Sequence, residues 1–335
     1  MKRRPIGQTG LQVSEIGLGC SELGRPLVHR SDSDWIRLLH RAFELGINFF
    51  DTADDYRYGR SEALLGRAFR DRRTSVILAS KIGHLTSWAK PFLERAPSPV
   101  QRLRGWLNAT RPQRDSREDT RLDFSAAHLV RGVESSLRRM RTDYLDLLLL
   151  HGPSVEVIRS EDTLAVLERL QSDGKVNHIG VSVNSLKEAQ AALAVRRFVA
   201  IEIDYSLLAQ SAATEILPQA QRAGIGIIAR LVLARGLLTK KRKMVTGPRR
   251  LRGLAAETLR DQIEELSFLK KPGSRSISQA AIQFALGPRE VSCALVGTTN
   301  MNHLAEDVGA LTAPSITDAE LRRIKECWSR WSCSD

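Results

Sequence analysis

The sequence lacks several features that would assign it to a special class of protein. It contains no run of about 18 apolar residues, and we therefore expect no membrane span. The N-terminal MKRRPIGQTG is basic without the apolar stretch of a signal peptide, which predicts a cytoplasmic protein. The four cysteines follow no zinc or iron–sulfur spacing, so we expect reduced thiols and no metal site.

Acidic residues are also scarce relative to basic ones, and the imbalance is concentrated in one segment. The net charge is +13, and seven basic residues lie between positions 240 and 252 with no acid among them. Such a run attracts phosphates, acidic substrates or nucleic acid, or it forms a solvated loop. Because no aromatic residue is interleaved with the basic ones, we do not expect nucleic-acid binding.

Eight apolar runs alternate with segments of helical periodicity. Each run is continuously apolar, which is typical of strands that are buried on both faces. The alternation predicts an α/β fold, a (β/α)8 TIM barrel that occupies residues 1–335 as a single domain. An open doubly wound sheet is the alternative, but GLGCSELG after the first strand lacks the GxGxxG spacing of its phosphate turn. The expected strands are 15–19, 47–53, 75–82, 144–151, 178–183, 200–205, 226–231 and 293–297.

The connecting segments contain turn and cap residues. MKRRPIGQTGLQV predicts a β-hairpin with its turn at residues 8–10, which can close the bottom of the barrel. Polar residues precede the expected helices, and glycine follows several of them. We expect one helix from Ser33 or Asp34 to Leu45, and others over 61–69, 125–140, 161–170, 186–195, 211–222 and 316–331.

Two insertions interrupt this regular alternation, at about residues 84–123 and 237–253. Unstructured loops of more than about 15 residues are usually functional lids or disordered segments. The first insertion leaves the barrel just after Lys81, so we expect it to overhang the pocket at that end. It contains Trp88 and Trp106, whose rings suit sugars or flat aromatic carbonyls, and these are the candidate substrate residues.

Ionisable residues stand at the ends of three predicted strands. Asp51 ends the second run, Lys81 lies in the third, His151 ends the fourth, and Tyr56 follows Asp51 by five residues. The carboxyl ends of barrel strands point into one pocket, so these four groups predict a site for acid–base chemistry. Each also has a plain structural interpretation: an ion pair of Asp51 with Lys81, a tyrosine packed in a loop, and a histidine satisfied at a strand end.

These motifs resemble the aldo-keto reductase family, in the family's order. The segments that carry the resemblance are INFFDTADDYRYGRSEALLG, ASKIG, SLRRMRTDYLDLLLLHGP, KVNHIGVSVNS, IIARLVLARGLL and VGTTNMNHLAED. The resemblance implies that Tyr56 is the general acid in the reduction of an aldehyde or ketone, or the base in the reverse reaction. Lys81 would lower the pKa of the phenol, Asp51 would hold Lys81 charged, and His151 would orient the substrate oxygen.

The resemblance also implies a nicotinamide cofactor, and here the chain departs from the family pattern. Ser182 matches the serine that binds the nicotinamide amide, Glu202 replaces a glutamine, and Arg230 replaces a stacking tyrosine. We expect Arg230 to pair with Glu202. The implied cofactor-binding residues are Gly19, Cys20, Ser182, Glu202, Arg230, Leu233, Ala234, Arg235, Gly236, Leu237, Gly297, Thr298, Thr299, Asn300, His303, Glu306 and Asp307.

The identity of the cofactor rests on one position. Members that bind NADP often have lysine or arginine at position 299, where this chain has threonine, but the hydroxyl groups of Thr298 and Thr299 can still bind a phosphate. We therefore expect NADP(H), with NAD(H) as the alternative, and a small carbonyl or alcohol as substrate, sugar-like or a secondary metabolite. A regulatory protein of the same fold that binds cofactor with little turnover is the other function considered. The sequence predicts no oligomeric state.

Overall fold

The centre of the molecule is a closed barrel of eight parallel strands. A computed structural model describes residues 1–25, 31–85, 121–239, 254 and 256–332. Around the barrel the strands follow the order β10-β3-β4-β5-β6-β7-β8-β9. The predicted (β/α)8 barrel is confirmed, and every predicted strand begins and ends within two residues of the observed one. The strands are β3 Ile16–Gly19, β4 Phe49–Asp51, β5 Ile77–Ile82, β6 Leu145–His151, β7 Val176–Ser182, β8 Ala200–Asp204, β9 Gly226–Arg230 and β10 Val291–Val296.

The continuous apolar runs exist because the strands face two separate cores. In β6, Leu147 and Leu149 belong to the cluster inside the barrel, whereas Leu148 and Leu150 belong to the cluster between the barrel and its helices. All seven residues of β6 are buried, as are all six of β5. Successive side chains of the same strand are thus buried from water on its two opposite faces. The sequence therefore shows no alternation of apolar and polar residues.

An N-terminal hairpin closes the amino-terminal end of the barrel, as predicted. β1 (Arg3–Pro5) pairs antiparallel with β2 (Gln12–Ser14), and Ile6 and Val13 join the inner core. The loop between them lies against the barrel, because the Gln8 N–H donates to the carbonyl oxygen of Gly224 at 3.1 Å. Because the hairpin closes this end, the mouth of the barrel lies at the carboxyl ends of the strands.

Helices separate the strands and cover the outside of the barrel. Ser125 and Ser185 cap their helices as expected. The start predicted for the first helix was wrong: its N-cap is Ser31, and Asp34 is the third helical residue, whose carboxylate accepts from the Ser31 N–H. The helices are α1 Asp32–Glu44, α2 Arg60–Ala68, α3 Ala126–Met140, α4 Val155–Ile158, α5 Glu161–Ser172, α6 Leu186–Val195, α7 Ala212–Ala223, α8 Ala256–Glu265, α9 Ile277–Leu286, α10 Met301–Val308 and α11 Asp318–Ser332.

The two predicted insertions lie mostly outside the described residues, as do Trp88, Trp106 and the basic run 240–252. The base of the first insertion is described: His84 forms an antiparallel bridge with Leu122, and the Leu85 N–H donates to the Arg121 carbonyl at 2.8 Å. The two ends of that insertion therefore leave the barrel mouth side by side, just beyond β5. Among the described residues, no helix is long and apolar enough to cross a membrane.

Candidate active site

The four residues predicted for acid–base chemistry meet at the barrel mouth. Asp51 ends β4, Lys81 is the fifth residue of β5, His151 ends β6, and Tyr56 lies in the loop after β4. The Lys81 ammonium donates to Asp51 Oδ1 and, at 3.1 Å, to the Thr52 carbonyl oxygen. The side chains of Lys81 and Asp51 are 1% and 5% exposed, so this ion pair is shielded from water.

Tyr56 lies between the ammonium group and the imidazole ring. Lys81 Nζ is 5.4 Å from the centre of the Tyr56 ring, and the rings of Tyr56 and His151 are 5.9 Å apart and nearly perpendicular. Burial raises the pKa of the Tyr56 hydroxyl above its usual value, while the charge of Lys81 acts in the opposite direction. The phenol is therefore protonated at neutral pH, as a proton donor to a carbonyl oxygen must be.

Buried polar residues hold the loop that presents Tyr56. The Thr52 and Ser61 hydroxyl groups are 2.7 Å apart, and the Ser61 hydroxyl donates to the Cys20 carbonyl. Glu62 accepts from the Ser80 hydroxyl and from Arg139, both at 2.6 Å. Residues 57–59 all have positive φ, a sharp turn that these contacts hold in place. This network explains why DTADDYRYGRSE combines so many polar residues at the end of a buried strand.

The structure adds two residues that the sequence interpretation missed, Asp55 and His84. His84 Nδ1 lies 2.9 Å from Asp55 Oδ2, and His151 Nδ1 lies 3.7 Å from Asp55 Oδ1. The rings of His84 and His151 are stacked, with centres 4.0 Å apart and planes 12° apart. The available signals were a second aspartate just before Tyr56 and a histidine just beyond β5.

This cluster offers three metal-binding groups, but its geometry suits hydrogen bonding better. One ligand atom from each of Asp55, His84 and His151 lies within 4.8 Å of the other two. The lone pair of an imidazole nitrogen lies in the plane of its ring. Because the two rings are nearly parallel and stacked, their lone pairs lie in separate planes and do not converge on one ion. A metal would require one ring to turn.

Three predicted cofactor residues form a hydrogen-bonded group at the ends of β7, β8 and β9. The Ser182 hydroxyl donates to Glu202 Oε1 at 3.0 Å and accepts from Arg230 Nη1 at 3.0 Å. The predicted ion pair of Arg230 with Glu202 is present, with Nη1 and Oε1 3.9 Å apart. A shorter contact was not predicted: Arg230 Nε donates to Asp204 Oδ1 at 2.5 Å, because Asp204 is the residue directly opposite Arg230 in the register of β8 and β9.

Glu202 lies close to the predicted acid–base residues. Its Oε2 is 3.3 Å from Lys81 Nζ, so the ammonium group faces two buried carboxylates. Burial, and then the charge of Glu202, raise the pKa of Asp51 to about 8, against the opposing effect of Lys81. Burial alone would lower the pKa of Lys81, but the charges of Asp51 and Glu202 together raise it.

The remaining predicted cofactor residues follow β9 and β10. Residues 234–236 form a single tight turn, in which Ala234, Arg235 and Gly236 all have positive φ. Asn300 caps α10, and its side chain accepts from the N–H groups of Asn302 and His303. That cap already occupies two of the amide groups at the N-terminus of α10. Asp307 is buried, and burial together with Glu306 raises its pKa to about 7.

Comparisons with known proteins agree with this architecture. The model of the aldo/keto reductase family matches residues 15–329. An uncharacterized oxidoreductase of Bacillus subtilis is 28% identical over 97% of this chain and 96% of its own length. L-galactose dehydrogenase of Arabidopsis thaliana is 28% identical over 92% of this chain and 88% of its own length.

Solved structures give the same result. An aldo-keto reductase of Bacillus halodurans in its holo form has a TM-score of 0.79 and 29% identity, with 98% of this chain and 96% of that chain covered. A glycerol dehydrogenase of Gluconobacter oxydans has a TM-score of 0.76 and 24% identity, with 98% and 95% covered, and supports the fold alone.

Proposed function

This chain belongs to the aldo/keto reductase family, and on that premise we propose that it is an NAD(P)H-dependent oxidoreductase that reduces an aldehyde or ketone to an alcohol, or catalyses the reverse reaction. The observation that carries this proposal is the position of Tyr56. Its ring lies between the Lys81 ammonium and the His151 imidazole, and Asp51 holds the ammonium in place. This is the set of groups that proton transfer to a substrate oxygen requires.

Each of these side chains has a defined task in reduction. The substrate oxygen lies between the Tyr56 hydroxyl and His151, whose imidazole orients it. Tyr56 donates its proton to that oxygen, and the Lys81 ammonium stabilises the phenolate that forms. Asp51 keeps Lys81 protonated and oriented, since the pair is shielded from water. The nicotinamide cofactor, when bound, supplies the hydride to the carbonyl carbon.

The residues beside this site suit a nicotinamide cofactor. Glu202 Oε2 is buried and, in the part of the chain that the structure describes, accepts no hydrogen bond besides its 3.3 Å ion pair with Lys81 Nζ. It is therefore an acceptor available to the carboxamide N–H group of a nicotinamide, and Ser182 and Arg230 lie next to it. Gly19, Cys20, Gly297 and the turn at residues 233–237 remain proposed contacts of the same molecule.

We propose NADP(H) as the preferred cofactor, with NAD(H) as the alternative. Thr298 and Thr299 stand at the start of α10, with Arg235 on a neighbouring loop, but no basic side chain occupies position 299. Dissociation constants for NADPH and NADH, measured by quenching of protein fluorescence, decide between the two. Tighter binding of NADH would overturn the preference.

We propose a small carbonyl or alcohol as the substrate, with a sugar-like molecule as the first class to test. The support is the relative named L-galactose dehydrogenase, which is 28% identical over 92% of this chain. A panel of aldehydes, ketones and keto-sugars, assayed with NADPH and NADH, tests the class, and Tyr56→Phe is the control. Cofactor binding without turnover on any substrate would favour the regulatory alternative, for which the departures at Glu202 and Arg230 are the specific observation.

A further inference from the structure

Lys81 is flanked by two buried carboxylates that come from distant strands. Asp51 ends β4, and Glu202 lies in β8, four strands further around an eight-stranded barrel. Their side chains therefore approach Lys81 from opposite sides of the barrel. Asp51 accepts a hydrogen bond from Nζ, and Glu202 Oε2 lies 3.3 Å from the same atom. The side chains of Glu202 and Asp51 are 3% and 5% exposed.

This group contains one more acid than base. Arg230 is the next cation, but its Nε is bonded to Asp204, and it lies 3.9 Å from Glu202. If Asp51 and Glu202 were both ionised, one negative charge would remain uncompensated in a site shielded from water. Such a charge is strongly unfavourable, and two neighbouring carboxylates avoid it by sharing a proton.

We propose that Glu202 is a positioning residue for Lys81, and that Asp51 and Glu202 together hold one proton at neutral pH whose loss in alkali slows turnover. The part of the proposal that concerns turnover rests on the proposed function. The pKa of Asp51, raised to about 8 by burial and by Glu202, agrees with a retained proton. The titratable and charged groups around the pair are Cys20, Tyr56, Asp55, Lys81, His151, Asp204, Arg230 and Cys293.

The sign of the effect on turnover follows from the charge beside Tyr56. When the shared proton leaves above a pH of about 8, the group around Lys81 gains a negative charge. That charge raises the pKa of the Tyr56 hydroxyl further, because it opposes formation of the phenolate. Donation of the proton to a carbonyl then becomes slower. With glutamine at position 202, Asp51 and Lys81 form a neutral pair that needs no extra proton.

The first test detects the proton without any substrate or cofactor. Infrared spectra of the full-length protein resolve the C=O band of a protonated carboxylic acid from ionised carboxylates. We expect one component of this band at pH 7 to disappear with a midpoint near pH 8 and to be absent in Glu202→Gln. Asp51→Asn, a second variant, is expected to remove the same band. Asp307→Asn and Asp54→Asn are the controls, since burial also raises the pKa of each of these two carboxyl groups, with Glu306 and Glu62 adding to the effect. These variants should remove different components. An unchanged band in both Glu202→Gln and Asp51→Asn overturns the proposal.

The second test is the pH profile of carbonyl reduction. We expect kcat/KM of the unaltered protein to fall above about pH 8, and the fall in Glu202→Gln to begin at least one pH unit higher. A purely structural role of Glu202 would lower kcat/KM at all pH values and leave the profile in place, which overturns the proposal. If the unaltered protein shows no turnover with any substrate, the proposed function fails, and the infrared result still decides whether the proton is shared.

Discussion

The two halves of the barrel mouth relate differently to the family pattern. The proposed acid–base half, formed by residues 51–56, 81 and 151 at the ends of β4, β5 and β6, keeps all four side chains that the resemblance implies. The proposed cofactor half, formed by residues 182, 202, 230 and 298–307 after β7 to β10, departs from the implied pattern at Glu202, Arg230 and Thr299. Proton transfer requires donor and acceptor within hydrogen-bond distance, so a displaced group there stops the reaction. The binding energy of a large molecule such as a dinucleotide is distributed over many contacts, so a substitution at one of them is tolerated.

The halves also differ in how firmly their side chains are held. Thr52, Ser61 and Glu62 lie below the acid–base half and are fully buried. Arg230 in the cofactor half depends on Asp204, whose side chain is 40% exposed. Glu202 belongs to both halves, because it bonds to Ser182 on one side and approaches Lys81 on the other. A substitution at Glu202 thus changes the charge beside Lys81 as well as the contacts with Ser182.

The largest effect should come from the acid–base half. Tyr56→Phe keeps the ring and removes the proton donor, so we expect kcat to fall by about 10²–10⁴-fold, the usual contribution of a general acid. The binding of NADPH should change little, since the ring remains. Steady-state assays and fluorescence titration measure the two quantities. A loss of less than about tenfold in kcat would show that another group donates the proton.

Lys81→Met tests how much the Lys81 ammonium stabilises the folded protein by compensating the buried carboxylates of Asp51 and Glu202. Removal of one partner from a buried ion pair typically lowers the free energy of unfolding by about 3–5 kcal/mol. The loss should be greater at pH 9 than at pH 6, since the pKa of Asp51, already raised by burial, rises further without the ammonium, and the folded protein then retains a proton that it must lose in alkali. Urea unfolding at the two pH values measures this.

The surface pair of Lys175 with Glu134 provides the matched control for that experiment. Nζ and Oε1 lie 3.0 Å apart, but both side chains are about one third exposed, at 32% and 40%. Lys175→Met should therefore change stability very little and show no pH dependence between pH 6 and 9. Equal losses in the two variants would mean that the position of Lys81 between Asp51 and Glu202 has no special energetic effect.

Much of this site was predictable from sequence, for a specific physical reason. Barrel strands are buried on both faces, so their ends appear as apolar runs that stop at Asp51 and His151, and parallel topology places those ends together. The contact of Glu202 with Lys81 was not predictable, because sequence spacing does not specify which side chains meet across the barrel. The predicted ion pair of Arg230 with Glu202 is present at 3.9 Å, but its closer partner Asp204 was missed because strand register, which places Asp204 opposite Arg230, was unknown.

A smaller effect, specific for one of the two cofactors, is expected from a substitution at Thr299 in the cofactor half. In Thr299→Arg, a guanidinium at the start of α10 can form charge-assisted hydrogen bonds with a 2′-phosphate, worth about 1.5–3 kcal/mol. We expect the Kd for NADPH to fall by about tenfold or more and the Kd for NADH to stay within about twofold. Fluorescence titration with both cofactors measures this. Equal changes for the two would place the ribose phosphate elsewhere in the cofactor half.

The smallest expected effect concerns the stacked imidazole rings. His84→Phe keeps a flat ring against His151 but removes the hydrogen bond with Asp55, which lies 2.9 Å from His84 Nδ1. A hydrogen bond of this kind contributes about 0.5–1.5 kcal/mol, so we expect kcat/KM to fall by about two- to tenfold. His178→Phe, in β7 near the closed end of the barrel, is the matched control and should leave kcat/KM unchanged. If His84→Phe also leaves it unchanged, the hydrogen bond between Asp55 and His84 has no part in positioning His151. A fall as large as that of Tyr56→Phe would instead place His84 among the groups that transfer the proton.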